Sequence, residues 1–177
     1  MLLTGNVIDR LDCTFGAVDA TFCEVENPIA FVIAGSVGIA GDEPVDVVDS
    51  DRELKSGRCK EWENVDEQSP MLPMVVVVSK PTSSEGHVQP CLFLDSLCHP
   101  SMAGTGGVCT NAASRIKESV TLAEHEFVIQ HPAGHLPLSV KTDDCEDCNG
   151  APSFETLGFM RTARYIFQGD LFIPSDL

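Results

Sequence analysis

The chain has 177 residues, of which 43% are hydrophobic and 21% charged, enough for one domain with a real core and too apolar for a disordered chain. Its 11 basic and 27 acidic side chains leave a formal net charge of −16, a surface that repels nucleic-acid phosphates and anionic lipid. The Lys and Arg residues are scattered and form no basic patch, so neither nucleic acid nor membrane is expected as a partner.

The N-terminal stretch "MLLTGNVIDRLD" lacks the basic start and long apolar run of a signal peptide. Residues 16–25, "GAVDATFCEV", alternate loosely and predict a strand. "ENP" follows as a turn, because Pro28 cannot donate and restricts Asn27 before it. "IAFVIAG" predicts a second, apolar strand that forms a hairpin or tight meander with the first. Residues 35–70 are rich in Gly, Asp and Glu; "DRELKSGRCKEWENV" predicts a short helix weakened by Gly57, and "DEQSP" a loop. "PMLPMVVVVSKP" is the most apolar run, too short to span a bilayer and β-branched as a buried strand is. "TSSEGHVQPC" predicts a loop. Thr105 to about Glu118 is the helix prediction, with Val108, Ala112, Ala113 and Ile116 near one face. So few large side chains lie in "GGVCTNAAS" that the helix should sit tightly between sheet elements. "HEFVIQ", "HPAGH" and "LPLSVK" predict strand, turn, strand; "TDDCEDCNGAP" is an acidic loop. "FETLGFMRTARYIF", "QGD" and "LFIP" predict a long strand, a turn and a short strand. The fold class is α+β: mostly antiparallel strands around one central helix, in a single domain over 1–177.

Eight cysteines are present: Cys13, Cys23, Cys59, Cys91, Cys98, Cys109, Cys145 and Cys148. With no export signal they predict reduced thiols in a cytoplasmic protein. Zinc needs four ligands and "DDCEDC" offers one CxxC among acids, so no metal is expected. Cys109, inside the helix prediction, reads as a small buried hydrophobe, since nothing places a base beside it. His131 and His135 flank Pro132 and Gly134 and so do not share a helix face; a turn with one ligand-facing histidine is the better reading. Arg161 and Arg164 at odd spacing on a strand face opposite sides. There is no nucleophile elbow for Ser/His/Asp hydrolysis.

The stretch "HPSMAGTGGVCTNAASRI" carries the chemistry. It is not a phosphate loop, because no lysine follows the glycines, and not a dinucleotide fingerprint, because Cys109 stands where the third glycine belongs. A helix N-terminus nonetheless offers unpaired N–H groups and the positive end of a dipole, and Gly104, Gly106 and Gly107 let a ligand approach the backbone. A small carboxylate suits such a turn, and so does mere tight packing.

"TGNVIDRLD", "NPIAFVIAG", "HPSMAGTGGVCTNAASRI", "QHPAGHLPLSV" and "MRTARYIFQGDLFIP" occur in that order. Together they resemble the C-terminal half of the PrpF family, the 2-methylaconitate cis-trans isomerases and oxalomesaconate tautomerases of the diaminopimelate-epimerase-like fold. The resemblance implies two similar domains, each a barrel-like sheet around a central helix, with the active site between them. This chain then matches the second half, and its N-terminal partner domain is absent. The resemblance also implies cofactor-free proton transfer and double-bond isomerisation of a small unsaturated di- or tricarboxylate. Substrate-binding candidates are Gly104, Thr105 and Gly106 in the turn and Asn27, with His99, His131 and Ser101 in or beside matching loops. Ala103 occupies the place where an epimerase carries a thiol, so the base is expected from the missing half. The expected partners are that half or a second copy in a homodimer. A non-catalytic domain that only binds a ligand or partner is the alternative.

Overall fold

The computed structural model describes residues 1–13, 15–50, 74–94, 97–119, 127–143, 152–161 and 163–170. The helix expected over 51–65, the "DEQSP" loop, most of the acidic "DDCEDC" loop and the short strand at 171–174 lie outside these residues.

Six strands form the larger sheet, in the order β1 (Asp9–Cys13), β2 (Gly16–Val25), β3 (Asn27–Ile33), β4 (Met74–Ser79), β5 (Gln89–Leu94), β6 (Leu97–Cys98). The predicted hairpin of β2 and β3 is present, pairing Val25 with Asn27 across Glu26, whose φ of 68° makes the turn. Pro28 and Asn27 therefore belong to the strand and not to the turn. β3 and β4 run parallel, pairing Ile29 with Met74 through Ile33 with Val78. A parallel pair needs a crossover, and the connection carries a 3-10 turn (Ala34–Val37) and helix α1 (Val45–Ser50). The central strands read as unbroken apolar runs because both faces of the sheet are covered. Ile29, Phe31, Val76 and Leu92 belong to the core that also holds the second helix, while Val18, Ala20, Val32 and Val77 pack on the opposite face beneath the 3-10 turn.

The smaller sheet is β7 (Phe127–His131), β8 (Gly134–Asp143) and β9 (Ser153–Phe159), all antiparallel. β7 and β8 form the predicted hairpin, with His131 opposite Gly134 and a φ of 128° at Gly134. The two sheets meet edge to edge. Val88 bridges Ile129 in parallel, the His87 N–H donates to Val128 O at 2.8 Å, and the Gln130 N–H donates to Val88 O at 2.9 Å.

Helix α2 (Gly104–Ala113) lies inside this wall, packed on β2, β3, β8 and β9. Every residue from Gly106 to Ala113 is buried. Small residues permit this, as the composition of the stretch predicts: a Cβ on Gly107 would sit 3.3 Å from Leu136 Cδ2 and 3.8 Å from Ile129 Cδ1. The helix is shorter than predicted, and turns carry the chain from Ser114 to Glu118, where φ is 65°.

The final strand is also shorter than expected. β9 stops at Phe159, paired with Leu138. The next pair in that register would set Met160 against Pro137, which has no N–H to extend the ladder. Arg161 and Arg164 thus lie beyond the strand, and Tyr165, Ile166 and Phe167 are exposed.

One thiol expectation is corrected. Cys91 and Cys98 form a disulfide across the β5–β6 hairpin, with Cα atoms 6.4 Å apart. Cys23 and Cys109 are buried thiols outside any disulfide. Among the described residues no helix is long and apolar enough to cross a membrane.

Candidate functional site

The N-terminus of α2 is where sequence and structure converge. Its first main-chain bond runs from the Gly107 N–H to Ala103 O at 2.8 Å, and no side chain caps it. The N–H groups of Gly104, Thr105 and Gly106 precede that bond and have no partner within the helix. They carry the positive end of the helix dipole.

A cavity of about 440 Å³ opens at this end, lined by Met102, Gly104, Leu136, Phe159, Met160 and Arg161. Gly104 is required by close approach: a Cβ there would lie 2.5 Å from Phe159 Cζ. Gly106 packs the other way, its Cβ position 3.2 Å from Leu92 Cδ2 and 3.3 Å from Met102 Cε. The Arg161 guanidinium sits 5.7 Å from the centre of the Phe159 ring, a cation–π contact that holds a positive charge at the cavity edge. Sequence reasoning singled out Gly104 and Arg161 but missed Leu136, Phe159 and Met160. These residues are far apart in the chain, and no local pattern marks an aromatic at a strand end as a cavity wall.

Neither His99 nor His131 is among the residues that line this cavity, but the two neighbour each other and His131 ends a strand that packs along α2. β7 advances along α2 from its C-terminal end, where Phe127 shares a cavity with Arg115, past Ile129 beside Gly107. His131 is two residues further on the same strand face and so approaches the helix N-terminus. The Ala133 N–H donates to His131 Nδ1 at 3.2 Å, which leaves Nε2 as the protonated nitrogen of the neutral ring. Burial, and then the neighbouring His99, push the His131 pKa below its ordinary value of 6.5. His99 is tied to Leu92 O through its own N–H at 2.7 Å, and the Ser101 N–H donates to His99 Nδ1 at 3.1 Å. His135 points elsewhere, its Nε2 3.0 Å from Ser83 Oγ. The two turn histidines thus lie on opposite faces of the hairpin, His131 on the helix side and His135 on the other. Asn27 is half-buried at the head of β3 and is not among the residues that line this cavity.

Cys109 takes no part. It is fully buried, its Sγ donates to Cys23 O at 3.5 Å, and the adjoining Cys23 sulfur and burial push its pKa well above the ordinary thiol range. That is the packing role expected of it. No group of three or more metal-ligating side chains occurs among the described residues.

Fold and cavity together define a sheet-wrapped helix whose N-terminus opens to solvent. Residues 1–174 match the sequence model of the PrpF protein family, and the chain belongs to that family. It is 30% identical to 3-methylitaconate isomerase of Eubacterium barkeri, across 98% of this chain and 52% of the relative. It is 25% identical to 4-oxalomesaconate tautomerase of Pseudomonas putida, across 99% of this chain and 50% of that one. The 2-methyl-aconitate isomerase of Cupriavidus necator is 27% identical, across 99% and 51%. A crystal structure of methylitaconate-delta-isomerase matches 90% of this chain and 50% of its own, with a TM-score of 0.72 and 25% identity. The chain therefore spans about half the length of the curated relatives it matches.

Proposed function

We propose that this chain forms one half of an isomerase cleft for a small unsaturated di- or tricarboxylate, with the architecture of a diaminopimelate-epimerase-like domain, in the cytoplasm. The observation that carries the reading is the uncapped N-terminus of α2 opening into a cavity edged by Gly104, Phe159 and Arg161. A substrate carboxylate takes hydrogen bonds from the N–H groups of Gly104, Thr105 and Gly106. His131 donates from Nε2, and His99 and Asn27 position the remaining polar groups.

The reaction is cofactor-free removal of a proton from carbon beside a carboxylate and its return at another carbon. The intermediate's charge spreads onto the carboxylate oxygens, where preorganised amides stabilise it most. The base comes from the other half of the cleft, supplied by a partner domain of the same fold or by a second copy of this chain. The binding-only alternative has one observation in its favour: among Met102, Gly104, Leu136, Phe159, Met160 and Arg161, none is a base suited to carbon acids at neutral pH.

Calorimetric titration with trans-aconitate, alongside absorbance of the conjugated double bond in an aconitate-type substrate, tests the reading. Binding without turnover supports the half-cleft, and binding with turnover places a base within reach. Absence of binding at millimolar ligand overturns the proposal.

A further inference from the structure

The Cys91–Cys98 bond lies in the hairpin that delivers His99 to the end of α2. Phe93 pairs with Cys98, and Cys91 is two residues before Phe93, so both cysteines stand on one face as diagonal neighbours. Their Cα separation of 6.4 Å is within disulfide reach. Directly after Cys98, the His99 N–H donates to Leu92 O, one residue from Cys91. The Ser101 N–H then donates to the His99 ring, and three residues later α2 begins. Leu92 itself lies against the Gly106 turn of the helix. The covalent link thus closes the short loop from which His99 and the entry to α2 both hang. Cys98 is 5% exposed and Cys91 is more open, so a small thiol reaches the Cys91 sulfur first.

We propose that Cys91 and Cys98 form an exchangeable positioning pair, whose bond holds the His99 loop against the N-terminus of α2 and whose reduction releases it. The co-reactant is a low-molecular-weight thiol and its disulfide, such as glutathione. In reduction, one thiolate attacks the Cys91 sulfur and expels the Cys98 thiolate, which takes up a proton. A second thiolate attacks the outer sulfur of the mixed disulfide and expels the Cys91 thiolate, which is protonated in turn. Two small thiols become one small disulfide, and two electrons and two protons pass to the pair.

The inference takes the place of His99 in the cleft from the functional reading above, but its test needs neither substrate nor turnover. The whole chain is equilibrated over a range of glutathione to glutathione-disulfide ratios. Free thiols are trapped by alkylation and mapped by mass spectrometry, and amide and imidazole signals are followed by NMR. Cys91 and Cys98 are expected to become alkylated together, with a linked 91–98 peptide at oxidising ratios. The signals of His99, Ser101 and Gly104–Gly106 are expected to shift in the same proportion, while those of β1 stay fixed. Absence of the linked peptide at every ratio overturns the proposal. So does a linked peptide whose formation moves the thermal midpoint but leaves the His99 and Gly104–Gly106 signals unchanged, because the bond is then only a staple.

Discussion

At the scale of single residues, Gly104 and Asn111 are the exacting positions of α2. Gly104 has no room for a methyl group against Phe159, and the obstacle is a ring that also holds Arg161. Gly104→Ala is expected to displace Phe159, cost about 1–3 kcal/mol of stability and abolish trans-aconitate binding. Urea denaturation and calorimetry read the two effects separately. Asn111 is fully buried on α2, and among the described residues neither its amide nitrogen nor its amide oxygen has a partner. Its neighbours fare better: Thr110 donates to Gly106 O at 2.7 Å and Ser114 to Asn111 O at 2.7 Å. Unsatisfied buried polar atoms cost about 1–3 kcal/mol, and leucine has nearly the shape of asparagine. Asn111→Leu is therefore expected to raise the urea midpoint at an unchanged m-value. A lowered midpoint would mean that the amide is satisfied in solution.

At the scale of elements, the sequence was legible where local chemistry decided the outcome. The β2–β3 hairpin, β4 and the β7–β8 hairpin follow from alternation, β-branching and the turn residues between them. β1, β5 and β6 were not legible, because "DRLDC" carries charge, "QPCLFL" carries proline and "LC" is only two residues long; pairing alone makes them strands. The end of β9 depended on Pro137, a residue of the neighbouring strand that no reading of "FETLGFMRTARYIF" could weigh. Amide protection is accordingly expected to continue through Phe159 and to be lost over 163–170, a boundary that hydrogen exchange with mass spectrometry resolves. Protection extending through Arg164 would restore the longer strand.

At the scale of the whole molecule, the acid side of the stability profile should show two steps. His131 has a lowered pKa in the folded chain. The unfolded state therefore binds more protons as pH falls below about 6.5, and stability is lost from there downward. Glu43 is also lowered: partial burial opposes this, but the N–H groups of Ala40 and Gly41, each 2.7 Å from its carboxylate, outweigh it. Its contribution is lost only as pH falls below about 4.5. His131→Gln is expected to remove the upper step and leave the lower one, as read from urea midpoints between pH 4 and 8. An upper step that survives the substitution assigns it to another group.

The sequence by itself determined that this is an α+β chain with a small-residue helix at its centre. It also located the glycine turn that opens the helix, and read Cys109 as packing. These follow from residue size, backbone permissiveness and periodicity, which are local properties. Tertiary structure decided which residues face that turn. Leu136, Phe159 and Arg161 reach Gly104 only because β8 and β9 wrap around the helix, and His131 turns inward while His135 turns out because strand alternation carries the face set by Phe127 and Ile129 to the hairpin's end. The fate of two thiols was decided the same way: seven residues apart in the chain, Cys91 and Cys98 meet because β5 and β6 fold back in register.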